Sequence, residues 1–368
     1  MDQMLTMDKG EYMTTNKRNG TVEFLRMVFC FVVLIYHFSC DIYGTDWRPI
    51  SWGGVLRYGA LAVEFFLITS GYFMAKSVSR QGTSCKDIGK DTWCFMWRKV
   101  KAILPYHVCF NLFMILVNIL RRKPIDEILH KVSSLFFLPT LGFNNFEWTM
   151  GSEWYIGNML FAMLTIYPFL RKFNKIVSLY AAPVASLVLY GYLAQRYGTV
   201  MGSNRILEAF AGILLGISVY TVSEEFKERL KERYISKTGE LLIKIYPVLV
   251  IIFILLYMNT SISTSIQPFL VLILGSGLAI TFAERGLLSS TGILNNSFAY
   301  WLGKMSPPIY MVQNITRMIV KNYLGIESIQ LTYIVEAIST ILAGILSYYA
   351  LNILLKRIAC YKNNRKAT

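Results

Sequence analysis

Residues 22–40 read VEFLRMVFCFVVLIYHFSC, nineteen residues in which Glu23, Arg26 and His37 are the only ionisable groups besides Cys30, Tyr36 and Cys40. A helix crossing a hydrocarbon core of about 30 Å needs about 20 mostly apolar residues. This stretch meets that length, and it is too long and lacks the small-residue cleavage site of a signal peptide, so it reads as a retained anchor. Working outward, nine more stretches of the same kind follow, near 58–78, 102–120, 153–171, 174–195, 205–223, 241–259, 266–284, 298–320 and 331–355. The fold class this predicts is all-α: a polytopic membrane protein of about ten transmembrane helices in one bundle. No repeat, heptad pattern or linker divides the chain. The expected organisation is a tail over 1–21, a transmembrane domain over 22–357 and a basic tail over 358–368.

Composition agrees. Of 368 residues 54% are hydrophobic and 16% charged, against roughly 45–50% and about 25% in soluble domains. Mean hydropathy is +0.44. The net charge of +15 raises a nucleic-acid binder, but such a protein gathers its cations on one solvated face. Here they stand in short clusters between apolar runs, as topology signals do, and no nucleic-acid partner is expected. Of the 37 Lys and Arg residues, 24 fall in connections on one side and 9 on the other, with Arg26, Lys76, Lys304 and Arg317 inside spans. Basic loops resist translocation, so both termini are expected in the cytoplasm. In the long outer connection, 124–152, the run SSLFFLPTLG is too short to span and predicts a re-entrant or interfacial piece. The six cysteines show no CxxC and read as packing residues, and with only three histidines no metal site is expected.

Ionisable groups inside a span are costly unless they face a polar cavity or a partner. Arg26 and His37 are eleven residues apart, about three turns, and so share one helix face about 16 Å apart. A long anionic ligand could rest its charged head at Arg26 and its reactive end at His37. Glu64, in YGALAVEFFLITSGYFMAKSV, falls about 9 Å below the outer end of the second span, at the depth of His37. A carboxylate there would fix the imidazole tautomer and raise its basicity, as a general base requires. In WRKVKAILPY, Arg98, Lys99 and Lys101 form a phosphate-sized cluster at the start of the third span, with Arg98 and Lys101 at i and i+3. For each there is an ordinary alternative: Arg26 snorkelling, His37 as a hydrogen-bonded core residue, Glu64 neutral or paired elsewhere, the third-span cations as anchors.

The motifs EFLRMVFCFVVLIYHF, VEFFLITSGYFM, RKVKAILPY, EWYIGNMLFAMLTIYP and YWLGKMSPPIYMVQN, in that order and spacing, resemble the integral-membrane acyltransferase-3 family over nearly the whole chain. That resemblance implies a ten-helix inner-membrane enzyme moving an acyl group, most often acetyl, from acyl-CoA to hydroxyls of sugars, polysaccharides or other cell-envelope glycans. It puts the family's Arg-x10-His pair on Arg26 and His37 and its paired-arginine motif on Arg98 and Lys101. Three positions depart from the family pattern: Lys101 for arginine, Gln313 where a histidine is frequent, and Glu64 for aspartate.

The mechanism expected from this likeness has acyl-CoA phosphates at Arg98, Lys99 and Lys101, with Arg26 at the entrance of a narrow polar path. His37 is a general base or acyl relay steadied by Glu64, and Tyr155 and Tyr310 are candidate oxyanion donors. Glu153 and Trp154 open the fourth span on the outer side, suited to sugar hydroxyls and a pyranose face. His107 is expected near the cytoplasmic face beside the CoA site and His130 in solvent. The partners are then a carbohydrate acceptor and the lipid bilayer, with a homo-oligomer left open. The competing class is a proton-coupled secondary transporter, with His37 and Glu64 as its relay, which predicts internal repeats. A structural scaffold would leave the buried charges without a role.

Overall fold

A computed structural model describes residues 19–43, 55–81, 87–141, 151, 153–202, 204–232 and 235–367. Among the described residues there is helix and no strand. The helices are α1 (Gly20–Tyr43), α2 (Ala62–Arg80), α3 (Ile88–Leu120), α4 (Ile125–Val132), α5 (Trp154–Lys172), α6 (Asn174–Ile176), α7 (Ala182–Tyr197), α8 (Arg205–Glu232), α9 (Lys237–Tyr257), α10 (Gln267–Phe282), α11 (Leu287–Ser290), α12 (Ser297–Tyr323) and α13 (Ile329–Ala367). The protein is an all-α polytopic membrane protein. Each of the ten stretches expected to span is helical, the fifth being the rod that α6, a π-turn at Val177–Ala181 and α7 build together.

Eight of these helical segments are long and apolar enough to cross a bilayer, and α5 and α12 are not among them. The reason is visible in their surroundings. Both are packed within the bundle, where Tyr155, Asn158, Gln313 and Thr316 meet protein rather than lipid, so neither needs an apolar surface all round. The bundle's centre is α2, with 72% of its apolar window buried; α13, at 11%, lies on the rim. Along α13 the exposed Leu331, Ile334, Ile338, Leu342 and Leu346 follow each other at three- and four-residue steps, the stripe of a helix facing lipid.

Two expected boundaries shift. Hydropathy predicts the third span over 102–120, but α3 begins at Ile88, where the Asp87 side chain accepts from the Lys90 amide at 2.9 Å. At 1.5 Å per residue, its 33 residues reach about 50 Å, so the helix continues well past the hydrocarbon on its basic side. At the other terminus α13 continues through the expected tail to Ala367. The run from Ser133 forms two short 3-10 turns, Ser133–Phe136 and Leu138–Leu141, with Phe137 between them in the left-handed region, folded back against α3. Its last residue, Gly142, and the segments 1–18 and 142–150 lie outside the described residues.

Close helix approaches set the register. Gly71 of α2 and Gly216 of α8 lie so near each other that a Cβ on either would fall 2.1 Å from a backbone carbonyl of the facing helix. Small residues permit that approach. The α12–α13 pair is joined by Thr316 and Thr340, whose hydroxyls are 2.5 Å apart. On the side of the basic loops, Arg171 of α5 is clamped to Asp91 of α3 at 3.1 Å, beneath the stacked rings of Phe95 and Tyr167.

Candidate functional site

Helix α1 runs unbroken through both Arg26 and His37, so their helical separation of about 16 Å holds in the fold. At the basic end the Arg26 guanidinium pairs with Glu23 at 3.2 Å, one turn back, and lies 5.8 Å from the centre of the Phe73 ring. Of the three α3 cations, Lys99 is half-buried and within electrostatic reach of Arg26 and Arg98. Arg98 and Lys101 are exposed. The expected i, i+3 face therefore points outward, and the cation within electrostatic reach of Arg26 is Lys99. The reason is helical phase: Phe95 packs on Tyr167 of α5, and Lys99, one turn on, shares that inward side with its ammonium 5.5 Å from the Phe95 ring.

One turn above Arg26, the buried Cys30 thiol donates to the Ser306 carbonyl of α12 at 3.5 Å. Tyr155 of α5 meets Tyr310 of α12 edge to face, ring centres 5.0 Å apart, and both are in reach of Cys30. The two tyrosines named as oxyanion donors thus stand together at mid-height, between the Arg26 end and the His37 end.

His37 is partly buried, with the guanidiniums of Arg205 and Arg317 within electrostatic reach. Arg205, at the start of α8, lies 5.0 Å over the Trp154 ring, and Arg317 of α12 donates to Asn314 at 2.6 Å. Glu64 is not the partner of that imidazole. It is fully buried, and its Oε2 accepts from the Tyr190 hydroxyl at 2.5 Å, with Glu208 in reach. Glu64 lies two turns before Gly71 on one face of α2. Since Gly71 packs on α8, the carboxylate is carried toward α8 and Gly212 and away from α1. Glu208 in turn accepts from the Gly202 amide at 2.7 Å.

Glu153 immediately precedes α5, as expected, but it is fully buried. Its Oε1 accepts from Asn111 at 2.6 Å and from Ser134 at 2.8 Å. His107 stands 3.8 Å from the same oxygen, its Nε2 3.1 Å from the Ser134 carbonyl and its ring stacked on Phe137. His107, expected near the CoA end, is therefore joined to the opening of α5. Residue 107 lies about 28 Å along α3 from Ile88, at the point where the folded-back 133–141 turns bring the Ser134 carbonyl and the Phe137 ring to it. These buried groups tie the 133–141 turns to α3 and α5. His130 belongs to α4.

Sequence reasoning missed Arg205, Tyr190 and Glu208. Glu208 lies inside the expected span 205–223 and could have been found by the rule that picked out Glu64; Tyr190 carries no such signal. A cavity of about 350 Å³ lined by Glu240, Lys244, Arg285 and Ser290 lies apart from the line between Arg26 and His37.

A family model described as an acyltransferase domain, that of the acyltransferase-3 family, matches residues 19–353. No curated protein and no solved structure matches the chain.

Proposed function

Because the chain belongs to the acyltransferase-3 family, we propose that this membrane acyltransferase moves an acyl group, acetyl foremost, from cytoplasmic acyl-CoA to a hydroxyl of a sugar or other cell-envelope glycan across the inner (plasma) membrane. The observation that carries the proposal is α1 itself. One end of its stripe holds Arg26 within electrostatic reach of Lys99, and the other holds His37 within reach of two guanidiniums. Arg26, Lys99 and the nearby Arg98 form a rim suited to phosphates. The roughly 16 Å between Arg26 and His37 is comparable to an extended pantetheine arm.

In the reaction His37 takes the proton of the acceptor hydroxyl as that oxygen bonds to the thioester carbonyl carbon. When the tetrahedral species collapses the carbon–sulfur bond breaks, and the leaving thiolate takes the proton from the imidazolium. Arg205 and Arg317 are suited to hold the charge that develops on the carbonyl oxygen, a task better matched to them than to the mid-height Tyr155 and Tyr310. Trp154, beneath Arg205, offers a flat apolar face for a pyranose. Glu153, whose Oε1 is engaged by Asn111 and Ser134, anchors that opening. Glu64 acts with Glu208 on the α8 side of the site rather than on the imidazole.

The test is loss of labelled acetyl-CoA by purified protein, together with the mass of envelope glycans, in wild type, His37→Ala and Lys99→Ala. His37→Ala should lower transfer by about 100-fold or more, and Lys99→Ala should raise KM for acetyl-CoA. Turnover and glycan mass equal to wild type in His37→Ala would refute the role of His37. Solute uptake without thioester loss would favour a transporter.

A further inference from the structure

Gln313 of α12 is fully buried, and among the described residues neither its Oε1 nor its Nε2 has a hydrogen-bond partner. Buried amides ordinarily find partners, because an unmade hydrogen bond in a dry interior is costly. This one sits in a telling place. Helices α1 and α12 run parallel: Glu23 lies against Gly303, Cys30 against Ser306, and His37 within reach of Arg317. Seven residues beyond the Cys30–Ser306 contact, about 10 Å along both helices, come His37 and Gln313. On α12 itself Ser306, Tyr310, Gln313 and Arg317 share one face at three- and four-residue steps. Gln313 therefore lies between the mid-height tyrosines and the guanidinium near His37.

Resting on the acyl-CoA reading above, we propose that Gln313 recognises the first amide of the pantetheine arm, its Nε2 donating to that amide's carbonyl and its Oε1 accepting from its N–H. A primary amide with both ends unmade complements a group that offers one donor and one acceptor side by side, which is what a secondary amide presents. The spacing agrees. A sulfur and two methylenes separate the thioester carbonyl from that amide, about 5 Å when extended, and Gln313 is one turn, about 6 Å, from Arg317. With the thioester oxygen held at Arg317, the amide falls level with Gln313. A donor lacking that amide would leave the buried glutamine unpartnered, so the residue also selects for the pantetheine thioester.

The experiment compares kcat/KM for S-acetyl-N-acetylcysteamine, which keeps the amide, with that for S-butyl thioacetate, which lacks it, alongside acetyl-CoA, in wild type, Gln313→Leu and Gln313→Met. Wild type should prefer the amide-bearing donor by about tenfold or more. In both variants that preference should collapse toward one, acetyl-CoA kcat/KM should fall by a similar factor, and use of the amide-free donor should stay within about threefold of wild type. The ratio of donors within one preparation does not depend on how much of a variant folds. A wild-type preference below tenfold, a preference retained in the variants, or both donors falling together would overturn the assignment of Gln313. Failure of wild type to consume acetyl-CoA would instead overturn the donor reading, and this inference with it.

Discussion

Replacing Gly216 by alanine tests whether the α2–α8 crossing holds the site in place. The new Cβ would meet the Ile68 carbonyl at 2.1 Å, and the Gly71 Cα and Tyr72 amide nitrogen at 2.8 Å, all backbone atoms that no rotamer can move. Ordinary contact begins at 3.4 Å, so α2 and α8 must separate by about 1.3 Å. Overpacking of this kind costs about 1–3 kcal/mol, and the rigid obstacle puts it at the upper end. Alanine's better helix propensity returns about 1 kcal/mol, leaving a net loss of about 2 kcal/mol. For a chain of 368 residues, at about 2.1 cal/mol/K of unfolding entropy per residue, that lowers the unfolding midpoint by roughly 2–3 °C. Because α8 also carries Arg205 and Glu208, and α2 carries Glu64, a shift of about 1 Å should cut turnover by about 100-fold. Gly191 of α7 is the control: beyond its chain neighbours and its own helix backbone, nothing lies within 4 Å of its added Cβ, so Gly191→Ala should leave the midpoint unchanged or raise it. Thermal unfolding of both variants in detergent, with acetyl-CoA turnover beside it, decides the matter. Gly216→Ala as stable and active as wild type, or Gly191→Ala equally damaged, would refute the reasoning.

Tyr190→Phe removes the hydroxyl that bonds the buried Glu64 carboxyl and should destabilise by about 1–3 kcal/mol; Glu64→Gln, which keeps an oxygen for Tyr190, should cost less, and equal unfolding midpoints for the two would count against this pairing. At Glu153, glutamine retains an acceptor for Asn111 and Ser134 whereas leucine strands both. Trypsin should cut at Lys131 faster in Glu153→Leu than in Glu153→Gln, and identical digestion would remove the carboxylate as the anchor of the 133–141 turns.

Much of the fold was legible because it is written in local terms. The ten apolar stretches became helices. Where boundaries moved, the cause was local chemistry that hydropathy does not weigh. The Asp87 cap starts α3 fourteen residues before its apolar half, and the 133–141 turns, folded back on α3, join His107 to Glu153 through Ser134. Glu64 shows the other kind of miss. Its place in the first turn of α2 does not fix its direction, and the Gly71–Gly216 contact turns it toward Tyr190. Lys99 stands among the cations of the third-span motif, but only the packing of Phe95 on Tyr167 singles it out as the one facing inward, in electrostatic reach of Arg26.

The stripe joining Arg26 to His37 belongs to the sequence by itself, since both lie on one helix and its pitch fixes their spacing whatever surrounds them. Every approach between helices was decided by the tertiary structure: Tyr190 with Glu64, His107 with Glu153, and the two guanidiniums within electrostatic reach of His37. Lipid is as apolar as a membrane protein's own core, so hydropathy gives a span its length without telling which side meets protein. That rotation is set by close backbone approaches at a few small residues, and these emerge only when the helices pack.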